Sequence, residues 1–162
     1  TTSNSGLKAP IADMEKYLRF LIGEPRNAHY EMVLKRSSLE EAWKGEVPVE
    51  EPGEAATAYT ASANGTQPKM GLGFFVMDRD GRKYVYHDGD QGGFSSELMI
   101  DTAHHCASLL VVNTTDTGAP APDTTHAVSN TEPEAKTDLR LALRTDLLNT
   151  VFPSCATSAA GH

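Results

Sequence analysis

The sequence has little cysteine, a deficit of basic residues and no long apolar run, and each shortage excludes a class of protein. Its two cysteines, Cys106 and Cys155, are too few for a disulfide framework, and they could form one disulfide or remain free thiols. The 14 Lys+Arg against 22 Asp+Glu give a formal net charge of −8, which argues against a nucleic-acid partner or an anionic lipid surface. No stretch approaches the roughly 18 apolar residues of a membrane-spanning helix, so we expect no membrane span.

The remaining composition is that of one globular domain. A length of 162 residues with 39% hydrophobic residues is enough for a real core and excludes wholesale disorder. The sequence begins without Met and without a basic and apolar leader, so we expect an N-terminus that has been processed or cut.

Helical patterns occur near both ends of the chain. Apolar residues at helical spacing predict a first helix that starts at Pro10 and stops at Gly23. Ser38 and Glu41 match a capping box and predict a short helix that runs through Trp43, which we expect to be a core residue.

The final helix is predicted to begin after Thr137 or Asp138, either of which can cap it. We expect Pro153 to end this helix, so that 1–152 forms the domain and 153–162 a frayed tail. The predicted apolar face of the helix consists of Leu139, Leu143, Leu147 and Val151.

Strand-like segments lie between these helices. They are Gly71–Asp78, Lys83–His87, Phe94–Ile100 and Ala107–Asn113. Asp80-Gly81 between the first two is a strong hairpin signal, and the spacing of the others predicts an antiparallel meander. The polar segments 45–69 and 114–136 are predicted loops. The predicted fold class is therefore α+β, an antiparallel sheet of about four strands flanked by N-terminal and C-terminal helices.

A possible site lies at the end of the second predicted strand, in His87-Asp88-Gly89. A glycine at a strand end lets a ligand approach the backbone closely, and unpaired N–H groups at a strand edge could donate to an oxyanion. A single histidine in such a place is more often structural than functional, so the motif needs support from its neighbours in the sequence.

The order of the motifs supplies that support, because it resembles the beta-lactamase-related serine hydrolases. This group includes class C beta-lactamases, penicillin-binding proteins and related esterases and peptidases. Gly71–Phe75 is followed by His87–Gly89, then by Gly92–Phe94, then by an apolar strand that ends in Asn113. The resemblance covers roughly residues 3–114 and implies the C-terminal half of such an enzyme.

The resemblance implies a chemistry and a set of site residues. The family hydrolyses small ester, amide or beta-lactam-like substrates through an acyl-enzyme on serine, without a metal or organic cofactor. By resemblance, His87 helps to bind substrate and supports proton transfer, and Gly89 completes the catalytic motif. The backbone N–H of Asp90 is one oxyanion donor, and Gly92 and Gly93 shape the wall of the substrate-binding site. The family is often exported, which implies a periplasmic or secreted location.

Asp88 departs from the family pattern, in which the middle position of the motif is usually small or hydroxylic. If Asp88 faces the site, its charge repels a substrate carboxylate. That arrangement would make Asp88 a substrate-binding residue that favours neutral esters or amides over anionic substrates.

The first two family motifs are matched only as strings, by Ser5-Gly6-Leu7-Lys8 and by Ser62-Ala63-Asn64. Pro10 follows Lys8 too closely for the nucleophile helix, and too little chain separates Asn64 from His87 for a helical lobe. We therefore expect the nucleophile on the upstream half of the same enzyme, and this chain alone to be inactive. The alternatives are a non-catalytic α+β module that binds a ligand or a protein, and a compact enzyme that uses Ser5 and Lys8.

His104-His105-Cys106 contains residue types that bind metals. The three residues fall in the predicted turn between two strands, and adjacent residues point to opposite faces. We therefore expect a structural turn there and no metal site.

Overall fold

A six-stranded antiparallel sheet with helices on both faces forms the described part of the chain. The computed structural model describes residues 8–23, 29–49, 67–91, 94–113 and 139–159. The helices are α1 (Ile11–Ile22), α2 (Arg36–Ala42), α3 (Leu139–Asp146) and α4 (Phe152–Ala159), with a 3₁₀ turn at Tyr30–Met32 and a π-helical segment at Leu147–Val151. The strands are β1 (Val47–Pro48), β2 (Lys69–Met70), β3 (Phe75–Arg79), β4 (Arg82–Gln91), β5 (Phe94–Asp101) and β6 (Cys106–Val112). The predicted α+β class is confirmed.

The sheet is a meander in which each strand pairs with the next along the chain. Asp80 and Gly81 join β3 to β4 with positive φ angles of 52° and 75°, and Arg79 pairs directly with Arg82 across the turn. Positive φ at both central residues is the backbone of a type I′ turn, whose twist matches that of the flanking strands. The hairpin predicted from Asp-Gly is confirmed.

Two strands were missed by the sequence prediction, which gave about four. Val47–Pro48 pairs with Lys69–Met70, so both ends of the predicted loop 45–69 belong to the sheet, while 50–66 lies outside the described residues. Each of these strands has two residues, and one of them contains a proline. Strands this short have no alternation to detect, and proline is confined to sheet edges.

The first core lies between one face of the sheet and the helices α1 and α2. Seven buried residues form it: Leu18, Leu21, Leu39, Trp43, Val76, Val85 and Ile100. Trp43 is 1% exposed, and the Arg36 guanidinium stacks 4.8 Å from the centre of its ring. The prediction that Trp43 is a core residue is confirmed.

The predicted capping box at the start of α2 is wrong. The helix begins at Arg36, so Ser38 lies inside it, and no side-chain cap comes from Lys35 at the N-cap position. Glu31 from the preceding 3₁₀ turn accepts a hydrogen bond from the Arg36 backbone N–H at 2.9 Å. The acidic group that satisfies this helix end therefore precedes the helix and does not follow its first turn.

The second core lies on the opposite face, under the C-terminal helices. Its buried residues are Met77, Tyr84, Tyr86, Met99, Leu148 and Phe152. The predicted end at Pro153 is wrong, because α4 continues to Ala159 and the described residues after Pro153 are helical. Pro153 falls in the first turn of α4, directly after the π-helical segment, where a missing N–H is tolerated.

The predicted apolar face of the final helix is shifted by one residue. Leu139 and Val151 are exposed, whereas Arg144, Leu148 and Phe152 are buried. Arg144 on the buried face made this face hard to recognise from the sequence, because hydrophobic periodicity treats arginine as a surface residue. Thr137, Asp138 and the predicted loop 114–136 lie outside the described residues. Among the helices that the structure describes, none is both long and apolar enough to cross a membrane.

Candidate active site

The predicted motif lies on β4, where His87 and Asp88 point to opposite faces of the sheet. Successive side chains of a strand alternate, so His87 shares a face with Val85 of the first core, and Asp88 shares the other face with Tyr86. His87 is exposed, and its ring lies 6.0 Å from that of Phe75 between the ring centres. The histidine that the motif supplies is therefore accessible from the face on which α1 and α2 pack.

The strand β4 extends beyond its neighbour β3 at this motif. The β3–β4 ladder stops at Phe75 opposite Tyr86, whereas the β4–β5 ladder continues to Gln91 opposite Phe94. Residues 87–91 therefore pair with β5 alone among the described strands. A strand edge of this kind presents backbone N–H and C=O groups to an incoming chain or ligand.

Neither a close contact nor a positive φ angle requires a glycine at position 89. A Cβ added there meets only Ser96 Oγ, at 3.7 Å, which is an ordinary contact, and the φ angle of Gly89 is not positive. The contrast is Gly71, where an added Cβ would lie 2.3 Å from the Ala42 carbonyl oxygen. Because glycine weakens a strand interior, the described structure alone gives no reason to keep one at position 89.

Asp88 is held by two arginines of α3. Arg144 Nη2 donates to Asp88 Oδ2 at 3.2 Å, and Arg140 Nη1 lies 3.6 Å from the same oxygen. The charge that would repel a substrate carboxylate is thus paired and lies on the face opposite His87. Asp88 and His87 thus face opposite sides of the sheet, and the substrate-binding role of Asp88 stays a prediction.

A buried carboxylate that the sequence reasoning missed lies directly across from Asp88. Glu97 of β5 is 2% exposed and accepts hydrogen bonds from Nε and Nη2 of Arg144, which is itself 3% exposed. Within the described residues, Glu97 Oε1 and Ser95 Oγ are buried without a hydrogen-bond partner. Ser95, Glu97 and buried Met99 alternate along β5, and this period of two was a signal that all three face inward.

The remaining predicted site residues lie at or beyond the end of β4. Asp90 belongs to β4 and pairs with Ser95 of β5, while Gly92 and Gly93 lie outside the described residues. Their roles stay predictions. Ser5 and Asn64 are also outside, and Lys8 precedes the start of α1 at Ile11.

Each residue of His104-His105-Cys106 has a structural partner. His104 Nδ1 lies 2.8 Å from Asp101 Oδ2, His105 Nδ1 lies 2.9 Å from the Ile22 carbonyl oxygen, and Cys106 forms a disulfide with Cys155. The disulfide settles the alternatives that the sequence left open. No group of three or more His, Cys, Asp or Glu side chains in the described part of the chain could hold a metal ion.

Comparison with known proteins identifies the family of this chain. The family model described as Beta-lactamase matches residues 2–132, and the chain therefore belongs to the beta-lactamase family. Comparison with curated proteins gave no significant match, and comparison with solved structures gave none either. Membership of this family indicates a hydrolase-like function and a small-molecule substrate.

Proposed function

We propose that this chain forms the half of a serine hydrolase active site that carries His87-Asp88-Gly89. The enzyme works through an acyl-enzyme. The observation that carries the proposal is Gly89, whose glycine nothing else in the described structure requires. It lies on the unpaired edge of β4, two residues after the exposed His87. A substrate laid along this edge would occupy the space that a side chain at position 89 would fill.

The proposed reaction is acyl transfer to serine followed by hydrolysis. The serine Oγ attacks the substrate carbonyl carbon and loses its proton to a base, a transfer that His87 supports. The backbone N–H of Asp90 donates to the oxyanion of the tetrahedral intermediate. The alcohol or amine leaves with a proton, and water then attacks the acyl-serine to release the acid and restore the hydroxyl.

The nucleophile in this proposal comes from the upstream half of the same enzyme. A serine and lysine that cooperate as Ser-x-x-Lys need one helical face to bring the two side chains together. Lys8 precedes α1, so the match at Ser5 and Lys8 does not have its lysine on a helix. We expect this chain alone to be inactive.

The substrate in this proposal is a small ester or amide, with a beta-lactam as one form of amide. The pairing of Asp88 with Arg140 and Arg144 supports admission of anionic substrates as well as neutral ones, because its charge is balanced on the far face. A nitrophenyl ester and a chromogenic beta-lactam test both possibilities.

The test is hydrolysis by the chain joined to its encoded upstream segment, with substitutions at the motif. We expect Gly89→Ala to lower kcat/KM by about 10²-fold or more, because its side chain would fill substrate space beside the oxyanion donor. We expect a loss of about 10²-fold or more in His87→Ala as well, because proton transfer loses its support. Gly89→Ala should keep or slightly raise the midpoint of urea unfolding, because alanine fits the strand. Lys83→Ala, on the same strand but far from the motif, is the matched control and should keep full activity.

Other outcomes support the alternatives. Activity of residues 1–162 alone that is lost in Ser5→Ala would establish the compact enzyme. A well-folded wild-type chain that stays inactive with its upstream segment would contradict the proposed function and leave the binding module. A fully active Gly89→Ala variant would contradict the proposed role of Gly89 in the site.

A further inference from the structure

Two carboxylates face each other across the strands that carry the proposed site. Asp88 of β4 and Glu97 of β5 are direct cross-strand partners, so both side chains point toward the C-terminal helices. Asp88 is half-buried and Glu97 is fully buried. Like charges directly opposite each other destabilise a strand pair, and burial strengthens the repulsion.

Arg144 removes that repulsion by bonding to both carboxylates. Its Nε and Nη2 donate to Glu97, and Nη2 also donates to Asp88 at 3.2 Å. The guanidinium lies over the Tyr86 ring, 5.7 Å from its centre, so it is packed as well as hydrogen-bonded. Arg140, which is more exposed, contributes a second positive charge 3.6 Å from Asp88. These two arginines balance the two carboxylates, and Arg144 contacts both strands.

The bonded carboxylate of Asp88 lies between the two residues that the site depends on. His87 precedes it and Gly89 follows it, and both present themselves on the opposite face of the sheet. A shift of Asp88 therefore moves the backbone of both neighbours. A misplacement of about 1 Å at a reacting group can cost on the order of 10²-fold in rate.

We infer that Arg144 is a positioning residue, which holds the His87–Gly89 segment in register from the far side of the sheet. The inference rests on the proposed function only for its effect on catalysis; the effect on the strand pair stands without it. Arg144 touches no reacting atom and acts through Asp88 and Glu97.

Amide hydrogen exchange of residues 1–162 tests the inference without any activity. In Arg144→Met, we expect the Gly89 and Ser96 amides to exchange about tenfold faster or more, since the cross-strand repulsion is no longer balanced. The Val85 and Ile100 amides, deeper in the same strands, should keep their rates relative to the wild-type protein. Arg140→Met is the matched control, because it removes an arginine of the same helix whose contact in the described part of the chain is with Asp88. Exchange in this variant should change less than threefold, or about 0.65 kcal/mol.

Rescue separates charge balance from simple loss of packing. In Arg144→Met/Glu97→Gln the opposing charge is gone, so exchange at Gly89 should return toward the wild-type rate. Where the enzyme with its upstream segment is active, Arg144→Met should lower kcat by about tenfold or more with little change in KM, and the double variant should recover it. If Arg144→Met does not fold, Arg144→Lys replaces it in the experiment. Lysine keeps the positive charge but cannot donate to Glu97 and Asp88 with the geometry of a guanidinium.

Uniformly faster exchange across β4 and β5, or no rescue by Glu97→Gln, would show an ordinary structural arginine and overturn the inference. The proposed function and the positioning role can fail separately. If the wild-type enzyme is inactive but exchange in Arg144→Met is faster at Gly89 and Ser96 only, the proposed function is wrong and the positioning role stands.

Discussion

Asp101 is a fully buried carboxylate at the end of the sheet opposite the motif. It accepts hydrogen bonds from Arg82 Nη1 at 3.0 Å and from the backbone N–H groups of Ala103 and His104, and His104 Nδ1 lies 2.8 Å away. Arg82 also donates to the Phe152 carbonyl oxygen at 3.0 Å. A buried charge is tolerated only when it is paired and hydrogen-bonded, and these contacts supply both. Asp101 thereby joins β4, the β5–β6 turn and α4.

Tyr84, the cross-strand partner of Asp101, makes stability depend on pH at alkaline values. Burial and, secondarily, the negative charge of Asp101 raise the pKa of Tyr84 above its ordinary value of 10.0. The unfolded chain therefore loses this proton first as the pH rises. The stabilisation is fully present below pH 10.0 and is lost as the pH rises through the folded-state pKa.

Urea unfolding of the wild-type protein and of Tyr84→Phe between pH 8 and 11 measures this contribution. We expect the wild-type free energy of unfolding to fall more steeply above pH 10 than that of Tyr84→Phe, which has no phenol to ionise. Other groups, such as Tyr17, whose pKa desolvation raises, titrate equally in both proteins. Parallel pH profiles would contradict the assignment.

At the scale of elements, Gly71 fixes where α2 meets the sheet. Gly71 precedes β3, and the Leu72 N–H donates to the carbonyl oxygen of Ala42, the last residue of α2, at 2.8 Å. An added Cβ at Gly71 would lie 2.3 Å from that oxygen, which is backbone and cannot rotate away. The sequence pattern predicted Gly71 in a strand. In the structure it precedes β3 and allows the close approach to the Ala42 carbonyl oxygen.

Gly71→Ala should therefore lower the free energy of unfolding by about 1–3 kcal/mol, the usual range for overpacking. The matched control is Leu72→Ala, which shortens a side chain that is 72% exposed and keeps the backbone hydrogen bond. We expect it to stay within about 0.5 kcal/mol of the wild-type protein. Both values come from urea unfolding, and equal midpoints for the two variants would show that the approach to Ala42 relaxes at no cost.

Elements with a local signal could be predicted from the sequence, and contacts between distant charges could not. Asp80-Gly81 predicts its turn, because only a few residue types readily adopt the positive φ angles found there. Arg144 gave no such signal, since its burial depends on Glu97, a residue 47 positions away in the sequence. Likewise, the motif identified His87, and strand alternation puts Asp88 on the opposite face, whereas the arginines that pair with Asp88 lie on a different element.

At the scale of the whole molecule, the sheet is the middle of three layers. The helices α1 and α2 cover one face and the C-terminal helices cover the other. His105 connects the β5–β6 turn to the end of α1 through the Ile22 carbonyl oxygen, and Cys106 in the same region connects to α4 through Cys155. One turn therefore ties together both helical layers and the sheet between them.

The disulfide connects the sheet covalently to the C-terminal helical layer. Cys106 at the start of β6 and Cys155 of α4 are 49 residues apart in the sequence and 6.2 Å apart between Cα atoms. A cross-link that closes a loop of that length restricts the unfolded chain. Such a bond usually stabilises the folded protein by about 2–4 kcal/mol. We expect the loss of the bond to release α4 from the sheet more readily than it disturbs α1.

Urea unfolding with and without a reducing agent tests this prediction on the intact chain. Reduction should lower the free energy of unfolding of the wild-type protein by about 2–4 kcal/mol. Cys106→Ala/Cys155→Ala should already have the lower stability and should not respond to the reducing agent, which controls for effects of the reagent. Exchange should accelerate first at amides of α4, because Phe152 and Leu148 are then the main groups that hold the C-terminal helices on the sheet. Two titratable thiols in the native oxidised protein, or a wild-type midpoint that reduction leaves in place, would contradict the prediction and assign the stability of that layer to its core and to the Arg82 contacts.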